Sequence, residues 1–209
     1  MKLCSVTDRK ALPGDSEAQI RLLLEKIESA ARAGVDLVQI REKDLDARRL
    51  CTIAREAKSR AGANCRILVN DRLDVALAAG ADGVHLGERS LSIADARRFA
   101  GERGAAKGFS VGVSTHSLEA LKAAEEDGAD YAIFGPVFAT PSKLVYGAPQ
   151  GLQRLAEACR AVSIPVIAIG GITAENARDC MAVGAAGIAA IRLFQDAKNL
   201  QTVVASLRA

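Results

Sequence analysis

The sequence predicts an α/β fold, a single (β/α)8 TIM barrel that spans residues 1–209. Eight short apolar runs alternate along the chain with eight longer segments in which apolar residues recur at helical spacing. A chain of 209 residues has the length of one such barrel, and an apolar fraction of 49% supplies the core that it needs. Alternating strands and helices predict parallel strand pairs, which an open doubly wound sheet would also contain.

The predicted strands are short runs rich in β-forming residues, and the predicted helices are the longer periodic segments that follow them. In order, the strands are residues 3–7, 37–40, 66–69, 83–86, 109–113, 131–134, 166–169 and 187–191. In the same order, the helices are residues 16–33, 47–61, 73–79, 92–100, 117–127, 151–161, 173–182 and 199–207.

A similar short sequence recurs four times between a helix and the next strand. It reads Gly-Val-Asp at 34–36, Gly-Ala-Asp at 80–82 and 128–130, and Gly-Ala-Ala at 184–186. Glycine can take the left-handed conformation that ends a helix, and small residues allow a tight turn into the strand. The repeats are about two βα units apart, which predicts a barrel built from four quarters.

Composition excludes several classes of function. The 28 Lys and Arg are dispersed and nearly balanced by 25 Asp and Glu, and Trp is absent, so nucleic-acid binding is not expected. No segment reaches the roughly 18 apolar residues of a membrane span, and the N-terminus does not resemble a signal peptide, which predicts a cytoplasmic protein. The five cysteines form no Cys-x-x-Cys pair, as expected for reduced, mostly buried thiols.

Polar residues follow several predicted strands, at the end of a barrel where active sites lie. Gln39, Arg41 and Lys43 alternate so that they point to one side. An amide and two cations suit a multiply charged oxyanion, because Arg offers a planar fork and Lys a mobile charge. A solvated loop in which Glu42 pairs with its neighbours is the alternative.

The third predicted strand is followed by an acidic residue, in Asn70-Asp71. An aspartate at this position can hold a Mg²⁺ ion that keeps several waters and bridges to substrate phosphates, or it can cap the next helix. The fourth strand contains His85, and the fifth leads to Ser114 and His116. Two histidines one βα unit apart do not form a metal motif.

The loops after the last three strands suit a second anion. The loop after the sixth strand contains Thr140, Ser142 and Lys143, whose hydroxyl and ammonium groups can donate to phosphate oxygens. Gly170-Gly171 follows the seventh strand and Arg192 follows the eighth, in the two loops that usually bind phosphate in this fold. An exposed loop and a tight glycine turn are the alternatives for these segments.

Several of these motifs occur together in one family. The segments concerned are 7–8, 39–43, 70–71, 80–87, 112–116, 135–143 and 169–172. In them the chain resembles thiamine-phosphate synthases and their sister thiazole tautomerases. The resemblance, with the synthase favoured, implies a barrel enzyme that joins a diphosphomethyl aminopyrimidine to thiazole phosphate with Mg²⁺. The resemblance implies that diphosphate leaves first and that the thiazole nitrogen then captures the pyrimidine cation.

The resemblance also implies roles for individual residues. The pyrimidine diphosphate would be held by Gln39, Arg41, Glu42, Lys43, Asn70, Ser114 and Lys143. The thiazole phosphate would be held by Thr140, Ser142, Gly171, Ile191 and Arg192. Lys143, Arg41 and Lys43 would act catalytically on the departing pyrophosphate, and Asp71 would bind Mg²⁺.

The chain departs from the synthase pattern at three positions, of which Ser142 in place of the second threonine of the loop after the sixth strand is a mild change. Ser90 stands where the synthase has a second metal-binding Asp, with Glu88 close by in sequence, and Arg192 stands where it has a phosphate-binding Ser. The tautomerase is the first alternative, although Pro136 replaces the proposed catalytic His of that branch. A noncatalytic phosphate-binding regulatory barrel is the second alternative. Apolar residues on the outer helices of a barrel can also join two copies into a homodimer.

Overall fold

The computed structural model describes residues 1–105, 107–140 and 148–209. In these ranges eight parallel strands pair in chain order, and the last strand pairs with the first to close a barrel. The strands are β1 (Lys2–Val6), β2 (Leu37–Ile40), β3 (Arg66–Asn70), β4 (Gly83–Leu86), β5 (Ser110–Thr115), β6 (Tyr131–Phe134), β7 (Val166–Ile169) and β8 (Gly187–Ala190). The predicted (β/α)8 barrel is confirmed, and the open sheet is excluded.

Helices cover the outside of the barrel and connect successive strands. Those in the described ranges are α1 (Ser16–Ala33), α2 (Ala47–Ala61), α3 (Leu73–Ala79), α4 (Ile93–Glu102), α5 (Leu118–Glu126), α6 (Gly151–Ala161), α7 (Ala177–Ala182), α8 (Arg192–Gln195) and α9 (Leu200–Arg208). A single 3₁₀ turn at Arg9–Ala11 follows β1. This turn and α8 were not predicted, because three or four residues are too few to show helical periodicity.

Two element boundaries differ from the prediction in ways that affect the site. β5 runs to Thr115, two residues further than predicted, so Ser114 lies inside the strand. The seventh predicted helix begins only at Ala177. The Thr173 N–H donates to Oδ1 of Asn176 at 2.9 Å, and the Asn176 N–H donates to the Thr173 hydroxyl at 3.3 Å. These side chains satisfy the backbone in a turn, in competition with helix formation.

The alternating side chains of the strands form two apolar layers. The larger layer lies between the barrel and the helices. The smaller layer fills the inside of the barrel with Cys4, Val6, Leu68, Tyr131, Ile133, Ile167 and Ala189. Leu68 points inward and is in register with Gln39, and Asn70, two residues further along, is in register with His85. Gln39, Asn70 and His85 therefore point inward towards the carboxyl end of the barrel.

The four repeats that begin with glycine join neighbouring strands at the amino end of the barrel. Their glycines have φ values of 91°, 65°, 86° and 106°, as the predicted helix ends require. In three repeats the aspartate carboxylate accepts a backbone N–H of the preceding strand. These bonds run from Leu3, Ile67 and Val111 to Asp36, Asp82 and Asp130, at 2.7, 2.8 and 2.7 Å. Ala186 occupies the corresponding place in the fourth repeat.

No helix within the described ranges combines the length and the apolar character needed to cross a bilayer. The five cysteines are free thiols, of which Cys4, Cys65 and Cys180 are buried. Burial raises the pKa of Cys4 and that of Cys65 to about 12. These two thiols therefore pack as small apolar side chains.

Candidate active site

Polar side chains from four neighbouring strands lie at the carboxyl end of the barrel. Nε2 of Gln39, from β2, donates to Oδ1 of Asn70, from β3, at 2.9 Å. Asn70 is in register with His85 of β4, and Nε2 of His85 lies 2.9 Å from the hydroxyl oxygen of Ser114 of β5. The closed barrel thus brings together three residues that are far apart in sequence and that the sequence assigned to one ligand: Gln39, Asn70 and Ser114.

The loop after β2 is held by a buried network of hydrogen bonds. The Thr7 hydroxyl accepts from the Arg41 N–H at 2.9 Å and donates to Oε1 of Glu42 at 2.6 Å. The Arg9 N–H donates to the same oxygen at 3.2 Å. The Glu42 side chain is 3% exposed, and burial raises the pKa of its carboxyl group. Glu42 therefore braces this loop, and its predicted contact with substrate stays a prediction.

The two cations of this loop lie at the same end of the barrel. Lys43 is exposed and lines a cleft of about 260 Å³ together with Asn70, Asp71 and other residues. Arg41 is half-buried, and its charge acts on the buried imidazole of His85. Burial, and then the positive charge of Arg41, lowers the pKa of His85 to about 3. His85 is therefore neutral at physiological pH.

Asp71 has a φ of 67°, the one positive value among non-glycine residues in the described part of the chain. Aspartate is one of the few residues that tolerate this left-handed conformation. The Asp71 N–H donates to the His85 carbonyl at 2.8 Å. The Ser90 hydroxyl donates to the Asp71 carboxylate and accepts from the Gly87 N–H, the latter at 2.8 Å. Asp71 and Ser90, which the sequence assigned to one metal site, therefore meet.

The donor set around Asp71 fits Mg²⁺ in one particular binding mode. Among the described residues, no three or more His, Cys, Asp or Glu side chains form a group that could enclose a metal ion. Mg²⁺ does not need such a group, because one or two carboxylates, waters and substrate phosphates commonly bind it. The exposed Asp71 carboxylate suits that mode. Glu88, the other predicted candidate, instead accepts from the His116 N–H at 3.0 Å.

A second group of predicted residues lies between the loops after β6, β7 and β8. Nη2 of Arg192, at the start of α8, lies 3.4 Å from the Thr140 hydroxyl oxygen. Gly171 has a φ of 63°, and a Cβ atom there would lie 2.6 Å from the Ala139 carbonyl oxygen. Glycine at this position therefore lets the loops after β6 and β7 approach each other. Ile191 directly precedes α8.

The predicted site residues thus fall into two groups. The first group, from β2 to β5, consists of Gln39, Arg41, Lys43, Asn70, Asp71 and Ser114, with Glu42 buried behind its loop. The second group, from β6 to β8, consists of Thr140, Gly171, Ile191 and Arg192. Ser142 and Lys143 lie outside the described residues, so their roles stay predictions.

Tyr131 was not predicted as a site residue, and its hydroxyl oxygen lies 2.9 Å from Nδ1 of His85. A signal for it was present in Gly112, because a glycine inside a strand often marks the close approach of another group. A Cβ atom at Gly112 would lie 2.0 Å from the Tyr131 ring. Arg9, whose buried guanidinium binds Asp44 at 2.7 and 3.1 Å, was not predicted either. Nothing in the local sequence marks Arg9 as buried.

Comparison with known proteins identifies the family of this barrel. A family model described as thiamine monophosphate synthase matches residues 3–194. The chain belongs to the thiamine monophosphate synthase family. The family resemblance found in the sequence is therefore confirmed.

Relatives in the thiamine monophosphate synthase family align with most of this chain. A putative thiamine-phosphate synthase from Geobacter sulfurreducens is 47% identical over 189 residues, which are 89% of this chain and 83% of the relative. The thiamine-phosphate synthase of Methanoculleus marisnigri is 45% identical over 182 residues, 86% of this chain and 83% of that protein. The solved structure of thiamine phosphate pyrophosphorylase from Pyrococcus furiosus superimposes with a TM-score of 0.83 at 33% identity, covering 99% of this chain and 93% of that one.

Proposed function

We propose that the protein is a thiamine-phosphate synthase, a transferase that joins 4-amino-2-methyl-5-(diphosphomethyl)pyrimidine to thiazole phosphate. The bond between the methylene carbon and diphosphate breaks, the thiazole nitrogen bonds to that carbon, and thiamine phosphate and pyrophosphate are released. The observation that carries the proposal is the pair of residue groups at one end of the barrel, one of them beside an exposed carboxylate. The synthase names of relatives that align with most of the chain support it.

The first group suits the pyrimidine diphosphate. The Gln39–Asn70 hydrogen bond leaves the Gln39 carbonyl oxygen and the Asn70 amide nitrogen for the polar edge of the pyrimidine ring. Arg41, Lys43 and Ser114 would donate to diphosphate oxygens. Diphosphate gains negative charge as its bond to carbon breaks, so cations fixed at this place stabilise the transition state more than the ground state. Lys143, as the resemblance implies, would add a further cation.

We assign Mg²⁺ to the Asp71 carboxylate of the same group. When bound, the ion would neutralise charge on the diphosphate. The Ser90 hydroxyl would hold the carboxylate in place, because Ser90 is itself fixed by the Gly87 N–H at 2.8 Å. The bond from the Asp71 N–H to the His85 carbonyl fixes the backbone from which the carboxylate projects.

The second group suits the thiazole phosphate. Thr140 and Arg192 offer a hydroxyl and a guanidinium group, and Arg can bind two phosphate oxygens at once. Gly171, whose loop closely approaches the loop that carries Thr140, would offer its backbone N–H to the same anion. An anion held here would place the thiazole ring towards the barrel axis, where the first group holds the other substrate.

The proposal is tested with purified protein, both substrates and Mg²⁺, by measuring thiamine phosphate and pyrophosphate. Asp71→Asn keeps a residue that tolerates the left-handed conformation and removes the charge. We expect the Mg²⁺ concentration for half-maximal activity to rise about tenfold or more, the loss typical when a residue that supports a metal is removed. Asp46→Asn is the matched control, because Asp46 caps α2 by accepting the Arg49 N–H at 2.9 Å and asparagine caps equally well.

The outcomes separate the three readings of the sequence. Formation of both products supports the synthase, and an unchanged Mg²⁺ dependence in Asp71→Asn would refute the metal assignment. If neither product forms while a control enzyme is active, the synthase is wrong. Isomerisation of a carboxythiazole phosphate without Mg²⁺ would then identify a tautomerase, and phosphate binding without turnover would identify a regulatory barrel.

Three further expectations belong to the same proposal. We place the reaction in the cytoplasm and treat residues 1–209 as one domain. Leu91 and Phe99 are 47% and 37% exposed, so apolar side chains are available on the α4 side of the barrel for a homodimer. Light scattering of the purified protein measures whether one copy or two are present.

A further inference from the structure

Three polar side chains form a chain of hydrogen bonds from the inside of the barrel to its carboxyl end. The Tyr131 hydroxyl oxygen lies 2.9 Å from Nδ1 of His85, and Nε2 of His85 lies 2.9 Å from the Ser114 hydroxyl oxygen. Tyr131 is the first residue of β6, and its ring fits inside the barrel because Gly112 has no side chain there. His85 and Tyr131 are buried, and Ser114 is half-buried.

The Tyr131 hydroxyl must donate its hydrogen to His85. Its ring belongs to the inner apolar layer with Val6, Leu68 and Ile167. The described part of the chain offers the hydroxyl no hydrogen-bond partner other than Nδ1 of His85. A buried hydroxyl hydrogen that pointed elsewhere would stay unsatisfied, which is strongly unfavourable. Nδ1 is therefore the acceptor of this bond and carries no hydrogen.

The state of His85 then fixes the second bond. An imidazolium would carry a hydrogen on both nitrogens, so the bare Nδ1 makes the imidazole neutral. A neutral imidazole with a bare Nδ1 has its one hydrogen on Nε2, so Nε2 donates to the Ser114 oxygen. The Ser114 oxygen is thereby used as an acceptor, and its own hydrogen is left to point away from His85.

We infer that Tyr131 and His85 are positioning residues that fix the Ser114 hydroxyl as a hydrogen-bond donor to an anionic oxygen at the barrel mouth. The identity of that oxygen, a diphosphate oxygen, rests on the proposed function. The direction of the two hydrogen bonds, from Tyr131 to His85 and from His85 to Ser114, does not. With the opposite direction, Ser114 would donate to His85 and present only lone pairs, which repel an anion.

The first test measures the tautomer of His85 directly. The chain contains two histidines, so ¹⁵N spectra of histidine-labelled protein, compared with those of His116→Asn, assign His85. We expect Nε2 to carry the hydrogen and Nδ1 to be bare in the ligand-free protein at pH 7. Tyr131→Phe keeps the ring and removes the hydroxyl, and a population with the hydrogen on Nδ1 should appear. A wild-type Nδ1–H tautomer, or an unchanged tautomer in Tyr131→Phe, would overturn the inference.

The second test measures binding of inorganic pyrophosphate with Mg²⁺ by calorimetry. Tyr131→Phe should bind about two- to tenfold more weakly, because affinity falls with the fraction of protein in the donating arrangement. In a protein that already carries Ser114→Ala, adding Tyr131→Phe should not weaken pyrophosphate binding further. Thr115→Val is the matched control, since it removes a neighbouring hydroxyl that has no partner among the described residues. The inference would be refuted if Tyr131→Phe weakened pyrophosphate binding equally in the wild type and in Ser114→Ala.

The two tests are independent of turnover. If the protein binds pyrophosphate with the expected coupling but forms no thiamine phosphate, the inference stands and the proposed function fails. If thiamine phosphate forms but the Tyr131→Phe effect persists in Ser114→Ala, the proposed function stands and the inference fails.

Discussion

Gly112→Ala adds one methyl group to the inside of the barrel at a place already filled by Tyr131. The new Cβ atom would lie 2.0 Å from Cζ, 2.2 Å from Cε1 and 2.4 Å from the hydroxyl oxygen of Tyr131. Carbon atoms in contact are separated by about 3.5–4.0 Å, so the ring must move by more than an ångström. That shift is enough to break the 2.9 Å bond between Tyr131 and His85.

The expected loss of stability is the sum of two terms. Overpacking a filled interior costs about 1–3 kcal/mol, and a lost hydrogen bond adds about 0.5–1.5 kcal/mol. The free energy of unfolding should therefore fall by about 1.5–4.5 kcal/mol. For a protein of this length, each kcal/mol lowers the melting temperature by about 2–4 °C, so Tm should fall by roughly 3–18 °C.

Urea and thermal unfolding, followed by circular dichroism, measure this loss. Gly101→Ala in α4 is the matched control, because a Cβ atom there meets nothing within 4 Å. Alanine favours a helix, so the control should be as stable as the wild type or up to about 1 kcal/mol more stable. A Gly112→Ala protein as stable as this control would refute the placement of the Tyr131 ring and the hydrogen-bond chain built on it.

Three further predictions follow from buried groups. Thr115→Val should raise the free energy of urea unfolding by about 1 kcal/mol, because the buried Thr115 hydroxyl has no partner among the described residues; a loss of stability would contradict this. His85 has a pKa of about 3 in the folded protein, against an ordinary pKa of 6.5, so the unfolded chain binds the extra proton between these pH values. Stability should fall as pH drops from 6.5 towards 3, by at most about 1.4 kcal/mol per pH unit, and this slope should be absent from unfolding curves of His85→Asn. Cys4 and Cys65, whose thiol pKa values are raised to about 12, should resist a disulfide reagent at pH 8 until urea unfolds the protein.

The fold could be predicted because its evidence is local and repeated. Each strand is a short apolar run, and each repeat such as Gly80-Ala81-Asp82 marks the end of a helix. The start of α7 could not be predicted, because Thr173 and Asn176 satisfy the backbone through a reciprocal pair of bonds that periodicity does not reveal. The α8 helix was not predicted, because its four residues are too few to show the helical periodicity of apolar side chains.

The site could be predicted only as far as strand ends define it. All strands of a parallel barrel end on one face, so the polar residues that follow them were expected at one end of the barrel. The family resemblance then assigned Gln39, Asn70 and Ser114 to one ligand. Contacts across the barrel depend on register and on side-chain direction, which one sequence does not contain. Tyr131 lies at the start of its strand and reaches the site only because a glycine on the neighbouring strand makes room.

The aspartates of the repeats give the barrel a modular construction. Each of these carboxylates ties together the two strands of its own quarter, and each also pairs with a helix cation: Lys58 with Asp82, Arg97 with Asp130 and Arg208 with Asp36. None of these hydrogen bonds between a strand N–H and an aspartate carboxylate crosses from one quarter to the next. A circular permutation that moved the chain ends to the turn between α2 and β3 would leave all three ties intact, whereas new ends between α3 and β4 would separate a strand from its carboxylate. The strand bonds therefore act within each quarter, whereas the ion pairs, whose cations lie on α2, α4 and α9 of the preceding quarter, join each quarter to the next.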